Sequence, residues 1–273
     1  MNNNNVQLTC TPVELTFLAK LLGAEVFLGI QDPFKGWLAD EIEAAWLEAQ
    51  ENLAARRFIE VGPDGGVIMD SAVAALVGAC GSPDASYALT YASGGEETYS
   101  CCFHVTRDLG VELTTRGEPP VCELTALDGF EAVYQRVREI FGLADQAAPV
   151  ASKGELLETA LFEARRIAGE SGVEAASAFL RQAHLNQAIA EVLADTLAQP
   201  FGNGALVTMS WQDDTWKVDG LGLLEGDNGL WLLRSFVKKD AKWVELIPCS
   251  AEEACKEIKR MMERVLPRVT QVV

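Results

Sequence analysis

The spacing of apolar positions alternates along the chain between the period of a helix and the period of a strand. Leu15, Leu18 and Leu22 form a helical stripe behind Thr11-Pro12-Val13-Glu14. That tetrapeptide is a helix start. The Thr side chain and the Glu three residues on each satisfy an N–H that the first turn leaves orphaned, and Pro at the first position has none to lose. A second helix is predicted over about 37–57, with Leu38, Ile42, Ala45, Ala49 and Leu53 on one face. Arg56 and Arg57 fall in its last turn, where the helix dipole favours cations. Apolar runs at 58–61 and 67–69 around the Gly62–Gly66 turn read as a hairpin, and a helix is expected over 70–80. Helix, hairpin and helix together resemble a winged-helix unit.

From Pro83 the period becomes two. Strands are predicted at 87–92, 98–105, 110–115 and 121–124, with Gly94-Gly95 at the first turn. A helix over 128–141 follows, with Phe130, Val133, Val137 and Phe141 inward. Residues 144–154 are small, carry Pro149 and lack an apolar period, so they read as a linker. Ser152-x-x-Glu155 is read as a capping box opening a helix to 168, with Leu157, Leu161, Ala164 and Ile167 inward. Helices are predicted at 173–183 and 187–198, then strands at 205–211, 215–221, 230–236 and 243–247. Ser250-x-x-Glu253 opens a final helix to about 266.

The second series repeats the first. At an offset of 117 residues, Pro83 meets Pro200, Ala88-Leu89 meets Ala205-Leu206, and Glu97-Thr98-Tyr99 meets Asp214-Thr215-Trp216. The predicted fold class is therefore α+β, with two pseudo-symmetric halves. Each half holds helices, a four-stranded antiparallel meander and a C-terminal helix. The division expected is 1–145 and 146–273, packed as one compact unit. Meander edges are free to pair, so the copies either join into one sheet or pack as a pseudo-dimer.

Charge removes several function classes. The chain of 273 residues carries a formal net charge of −18. Nucleic acid and anionic membrane surfaces are not expected partners, since both need a cationic footprint. No run is apolar enough to span a bilayer, and the Met-Asn-Asn-Asn-Asn start lacks the regions of a secretory signal, so membrane insertion is not expected. The seven cysteines, odd in number and without a C-x-x-C, read as free thiols of a reducing cytoplasm. The first 150 residues hold 22 acidic and 8 basic side chains, against 18 and 14 in the rest, so the first half is the more acidic face.

Candidate chemistry is thin. In a strand Cys102 and His104 share a face, but a zinc site needs two further ligands and only Cys122 is near in sequence. A Cys–His nucleophile needs a cationic setting, and only Arg107 is close in sequence. Glu96-Glu97 and Asp213-Asp214 occupy equivalent hairpin turns, where solvation explains them. Gly220-Leu221-Gly222 with Gly226 precedes a strand, not the helix N-terminus that phosphate binding needs. No catalytic residue, metal ligand or cofactor is assigned, and a non-enzymatic protein is expected. Trp211 and Trp216 flank the Gln212-Asp213-Asp214 turn, an arrangement suited to cross-strand pairing or to protein recognition.

Several short stretches resemble the EspG family, cytosolic chaperones of type VII secretion. They are Ile68-Met69-Asp70 through Val73-Ala74 to Pro83-Asp84, Val192-Leu193 through Pro200 to Leu206-Val207, and Ile247-Pro248 before the capped last helix. The resemblance implies quasi-twofold halves of β-meanders and helices, and a protein that binds PE–PPE pairs and keeps them soluble. The expected function is thus protein binding of a chaperone-like kind in the cytoplasm, towards a small helical secreted partner. The contact residues expected are Gly94, Gly95, Glu96 and Glu97 in one turn and Trp211, Asp213, Asp214 and Trp216 in the other. The alternative is a small-molecule or lipid-binding protein with a pocket between sheet and helices.

Overall fold

The chain begins its regular structure with a short strand, β1 (Gln7–Cys10). Helix α1 (Pro12–Leu21) follows, and its capping box is formed: Thr11 N–H donates to Glu14 Oε2 at 2.8 Å and Glu14 N–H to Thr11 Oγ1 at 3.1 Å. The architecture is that of a computed structural model describing residues 6–24, 28–94, 97–143, 148–149, 151–200, 202–212 and 214–267. After α1 come α2 (Ala39–Ala55), the hairpin β2 (Ile59–Val61) and β3 (Val67–Met69), and α3 (Ser71–Gly81). The meander β4 (Ala85–Ser93), β5 (Tyr99–Val105), β6 (Gly110–Arg116) and β7 (Val121–Leu127) leads into α4 (Gly129–Phe141). The second series is β8 (Gly154–Leu157), α5 (Glu158–Ser171), α6 (Val173–Gln182) and α7 (Gln187–Ala198). Then come β9 (Gly202–Gln212), β10 (Thr215–Gly226), β11 (Gly229–Lys238), β12 (Ala241–Cys249) and α8 (Ala251–Arg264).

All the strands except the β2–β3 hairpin join one sheet of ten, ordered β1-β7-β6-β5-β4-β9-β10-β11-β12-β8. The meanders meet where β4 pairs antiparallel with β9, with Leu89 opposite Leu206. Joining there satisfies the one long edge that each meander would otherwise leave unpaired. The fold is α+β with two pseudo-symmetric halves, each repeating edge strand, helices, meander and helix in the same order.

The edge strands differ from the sequence expectation. Ser152 and Glu155 do not cap a helix. Residues Gly154–Leu157 are β8, pairing with β12 through Leu156 opposite Val244, and the helix begins only at Glu158. Leu157 is consequently half-exposed instead of lining the helix interior. The reason is the open edge of β12, whose backbone groups gain a ladder of partners that outweighs one capping box. On the opposite edge β1 pairs with β7, Cys10 opposite Cys122, a strand too short to show a period in sequence. Helix α2 ends at Ala55, so Arg56 and Arg57 lie beyond its last turn. Arg56 instead reaches Glu14 at 2.8 Å and the Thr9 carbonyl at 2.8 Å, tying α2 to the start of α1.

Alternation along the strands assigns each residue to one of two faces. On one face Tyr87, Phe103, Leu206, Leu223 and Leu232 pack with Phe141 of α4 and Ile258 of α8. Tyr87 Oη donates to the Met262 carbonyl at 3.1 Å, and Tyr134 Oη to the Cys255 carbonyl at 3.2 Å, so the two C-terminal helices are fastened across the halves. The other face carries two separate cores. Leu15, Leu53 and Leu76 cover Val111 and Leu124 at one end. Leu161, Leu193 and Leu180 cover Trp231 and Leu246 at the other.

Candidate functional site

The two turns singled out by sequence lie at opposite ends of the sheet. Because β4 and β9 run antiparallel, Ser93 stands opposite Gly202 and Ser86 opposite Met209. Gly94 therefore closes β4 beside the start of β9, whereas Trp211 and Trp216 close the far end. At roughly 3.3 Å per residue, the nine residues from Gly202 to Trp211 set the two turns about 30 Å apart. Gly95, Glu96 and Asp213 lie outside the described residues. Glu97 borders a polar cavity with Tyr91, Tyr99 and Arg136, while Asp214 sits in its turn with φ 55°.

Trp211 and Trp216 are direct cross-strand partners, stacked edge to face at 5.4 Å between centroids. They remain 56% and 47% exposed. Their face of the sheet continues inward through the pairs Met209–Val218, Val207–Gly220 and Ala205–Gly222. Val218 is 63% exposed, and Phe162 of α5 projects above the same strands at 64% exposure. Between α5 and β9–β11 lies a groove of about 450 Å³ whose lining includes Leu161, Phe162, Val207, Val218, Gly220 and Gly222. The small residues Ala205, Gly220 and Gly222 keep its floor flat. A Cβ at Gly220 would meet only ordinary contacts, the nearest at 3.5 Å.

Sequence reading placed Trp211 and Trp216 correctly at one turn but missed Phe162, Val207 and Val218. The signal was present for Phe162: a phenylalanine next to the inward Leu161 stands off the buried stripe of α5. Val218 is invisible as a site residue because alternation alone says nothing about which face is covered.

Cys102 and His104 sit on this same face, in the other half, under a backbone strap. A Cβ at Gly29 would lie 2.8 Å from Cys102 Cβ, so the strap passes directly over β5. His104 Nδ1 is 3.0 Å from Ser86 Oγ, and the ring also hydrogen-bonds the backbone of Leu28. Burial lowers the His104 pKa to about 4 and raises the Cys102 thiol to about 12. The imidazole is thus neutral and the thiol protonated at neutral pH. All seven cysteines are free and buried. Among the described residues no three His, Cys, Asp or Glu side chains gather as a metal site requires. None of their helices is long and apolar enough to cross a membrane.

Two meanders fused into one sheet, braced by paired C-terminal helices on one face and helical layers on the other, define a two-half α+β architecture. The fold matches that of EspG5, the Mycobacterium tuberculosis type VII secretion system chaperone solved in complex with a PE25–PPE41 dimer. The match covers 96% of this chain and 98% of that one, with a TM-score of 0.62 and 14% sequence identity. No protein-family model matches the chain, and no curated protein matches it in sequence. At this identity the two proteins share a fold.

Proposed function

We propose that this chain is a non-enzymatic, chaperone-like protein that binds an apolar helical surface of a partner protein in the cytoplasm. The observation that carries the reading is the open apolar face of the second half, where exposed Val218 and Phe162 border a groove and the exposed pair Trp211–Trp216 continues the same strands beyond it. Contiguous exposed apolar side chains, aromatic ones above all, mark interaction sites. A groove floored by glycine and alanine accommodates the ridge of a helix, whose anchors recur every three to four residues. The likeness to a secretion chaperone supports the same reading, with a small helical secreted protein as the partner. The test is affinity capture from the native host with wild type and with Trp211→Glu/Val218→Glu. Wild type recovers a stoichiometric helical protein and the double variant, with an unchanged circular dichroism spectrum, loses it. Equal recovery by both would place binding elsewhere.

A second reading rests on one cavity of about 700 Å³ between the start of α1, the strap and the β6–β7 turn, lined by Pro12, Ile30, Pro33, Trp37, Pro119 and Pro120. Its size and apolar walls suit a small hydrophobic ligand. Native mass spectrometry of protein purified without denaturant detects such a ligand as a persistent added mass, and a clean apo mass counts against it.

A further inference from the structure

The outer groove between α4 and α8 runs against the charge of the whole molecule. The chain carries −18, yet this cavity of about 470 Å³ is bordered by Arg138, Lys256, Lys259 and Arg260 against only Glu252 and Glu263. Two of the carboxylates nearby are already engaged, whereas Glu263 has no ion pair among the described residues. Glu252 holds Lys256 at 2.5 Å, and Glu131 of α4 holds Lys259 at 2.8 Å. Arg138 has no carboxylate partner among the described residues. It donates to the Gln135 side chain at 3.2 Å, hydrogen-bonds the Cys255 side chain and lies over Tyr134, 5.9 Å from the ring centroid. Among the described residues Arg260 has a single long carboxylate contact, 3.8 Å to Glu257. Two guanidinium groups therefore border one cavity with donor capacity to spare, one from each half of the molecule.

We propose that the α4–α8 groove binds a small organic phosphate. Guanidinium forks match the oxygens of a phosphate dianion, and lysines add charge without demanding geometry. A phosphate in this groove meets cations from both helices, Arg138 of α4 and Lys256, Lys259 and Arg260 of α8. The cavity is larger than a phosphate alone needs, and its remaining wall is apolar: Leu143, Ala251 and the Tyr134 ring. The organic part of the ligand lies against that wall. Occupancy ties α4 to α8 through a shared anion, adding to the Tyr134 hydrogen bond that already joins them.

The experiment is calorimetric titration of the full chain at constant ionic strength with phenyl phosphate, inorganic phosphate and sodium chloride. Phenyl phosphate is expected to bind saturably and about tenfold more tightly than inorganic phosphate, the ratio that burial of roughly 55 Å² of apolar surface provides. Chloride should give no saturable heat. Arg138→Gln/Arg260→Gln should abolish binding of both phosphates, and the exposed substitution Lys256→Gln, which leaves the fold-bracing contacts intact, should weaken it. Absence of saturable binding overturns the proposal, as does binding unchanged in Lys256→Gln and in the double variant. Equal affinity for the two phosphates overturns the assignment of an organic ligand.

Discussion

The same face of the sheet is closed in one half and open in the other. In the first half the connection from α1 to α2 runs from Leu22 to Leu38, and its described part lies across β5 at Gly29. In the second half the equivalent connection, α5 to α6, is the single residue Gly172. No strap can form from one residue, so Val207, Val218 and Gly220 stay accessible. Covered strands hold a neutral histidine and protonated thiols, whereas open strands hold glycine and tryptophan. One architecture thus yields a sealed core and an exposed apolar face, and loop length decides which. The halves also brace their C-terminal helices with opposite polarity. Glu112 on β6 takes Arg136 of α4 at 3.0 Å and the Tyr99 hydroxyl at 2.5 Å, while on β11 it is the arginine, Arg234, that pairs with Glu257 of α8.

The comparison can be broken most sharply with tryptophan. Trp231 faces the same side as Trp211 but is fully buried under α5–α7. Trp231→Ala is expected to cost about 3–5 kcal/mol. Trp211→Ala should cost less than about 1 kcal/mol, because a half-exposed ring gives up little burial. Denaturant midpoints at unchanged slope measure both. Equal costs would mean that the second half is not open at that end.

His104 sharpens the contrast through pH. Its folded pKa of about 4 lies below the ordinary value of 6.5, so the unfolded state binds the proton first as pH falls. Its stabilising contribution is complete above pH 6.5 and is lost as pH approaches 4, at about 1.4 kcal/mol per unit and roughly 3 kcal/mol in all. His104→Gln should flatten the stability profile in that window by this amount. Parallel profiles for wild type and variant would show that the strap does not keep the ring from water.

The smallest expected effects come from glycine. Gly29 has φ +95° and no room for a Cβ, so Gly29→Ala should destabilise by about 2 kcal/mol. Gly220→Ala, on the open face, should remain within about 0.5 kcal/mol of wild type. Thermal midpoints of the two variants give the answer, and a Gly29→Ala protein as stable as wild type would remove the strap from the picture.

Much of the fold was legible from residues alone, because its signals are local. Capping boxes at Thr11–Glu14 and Ser250–Glu253 mark helix starts by hydrogen bonds that span three residues. Alternating apolar positions mark the strands, and the repeated order of elements announces two like halves. The edge strands β1 and β8, the pairing of β4 with β9, the separation of the two turns and the open face were settled only in three dimensions. Each depends on a partner far along the chain: an unpaired ladder waiting at β12 or β7, a strap reaching over one half, or antiparallel register that sends Gly94 and Trp211 to opposite ends. Local chemistry specifies what a segment can become. Long-range pairing and coverage choose which of its faces meets water.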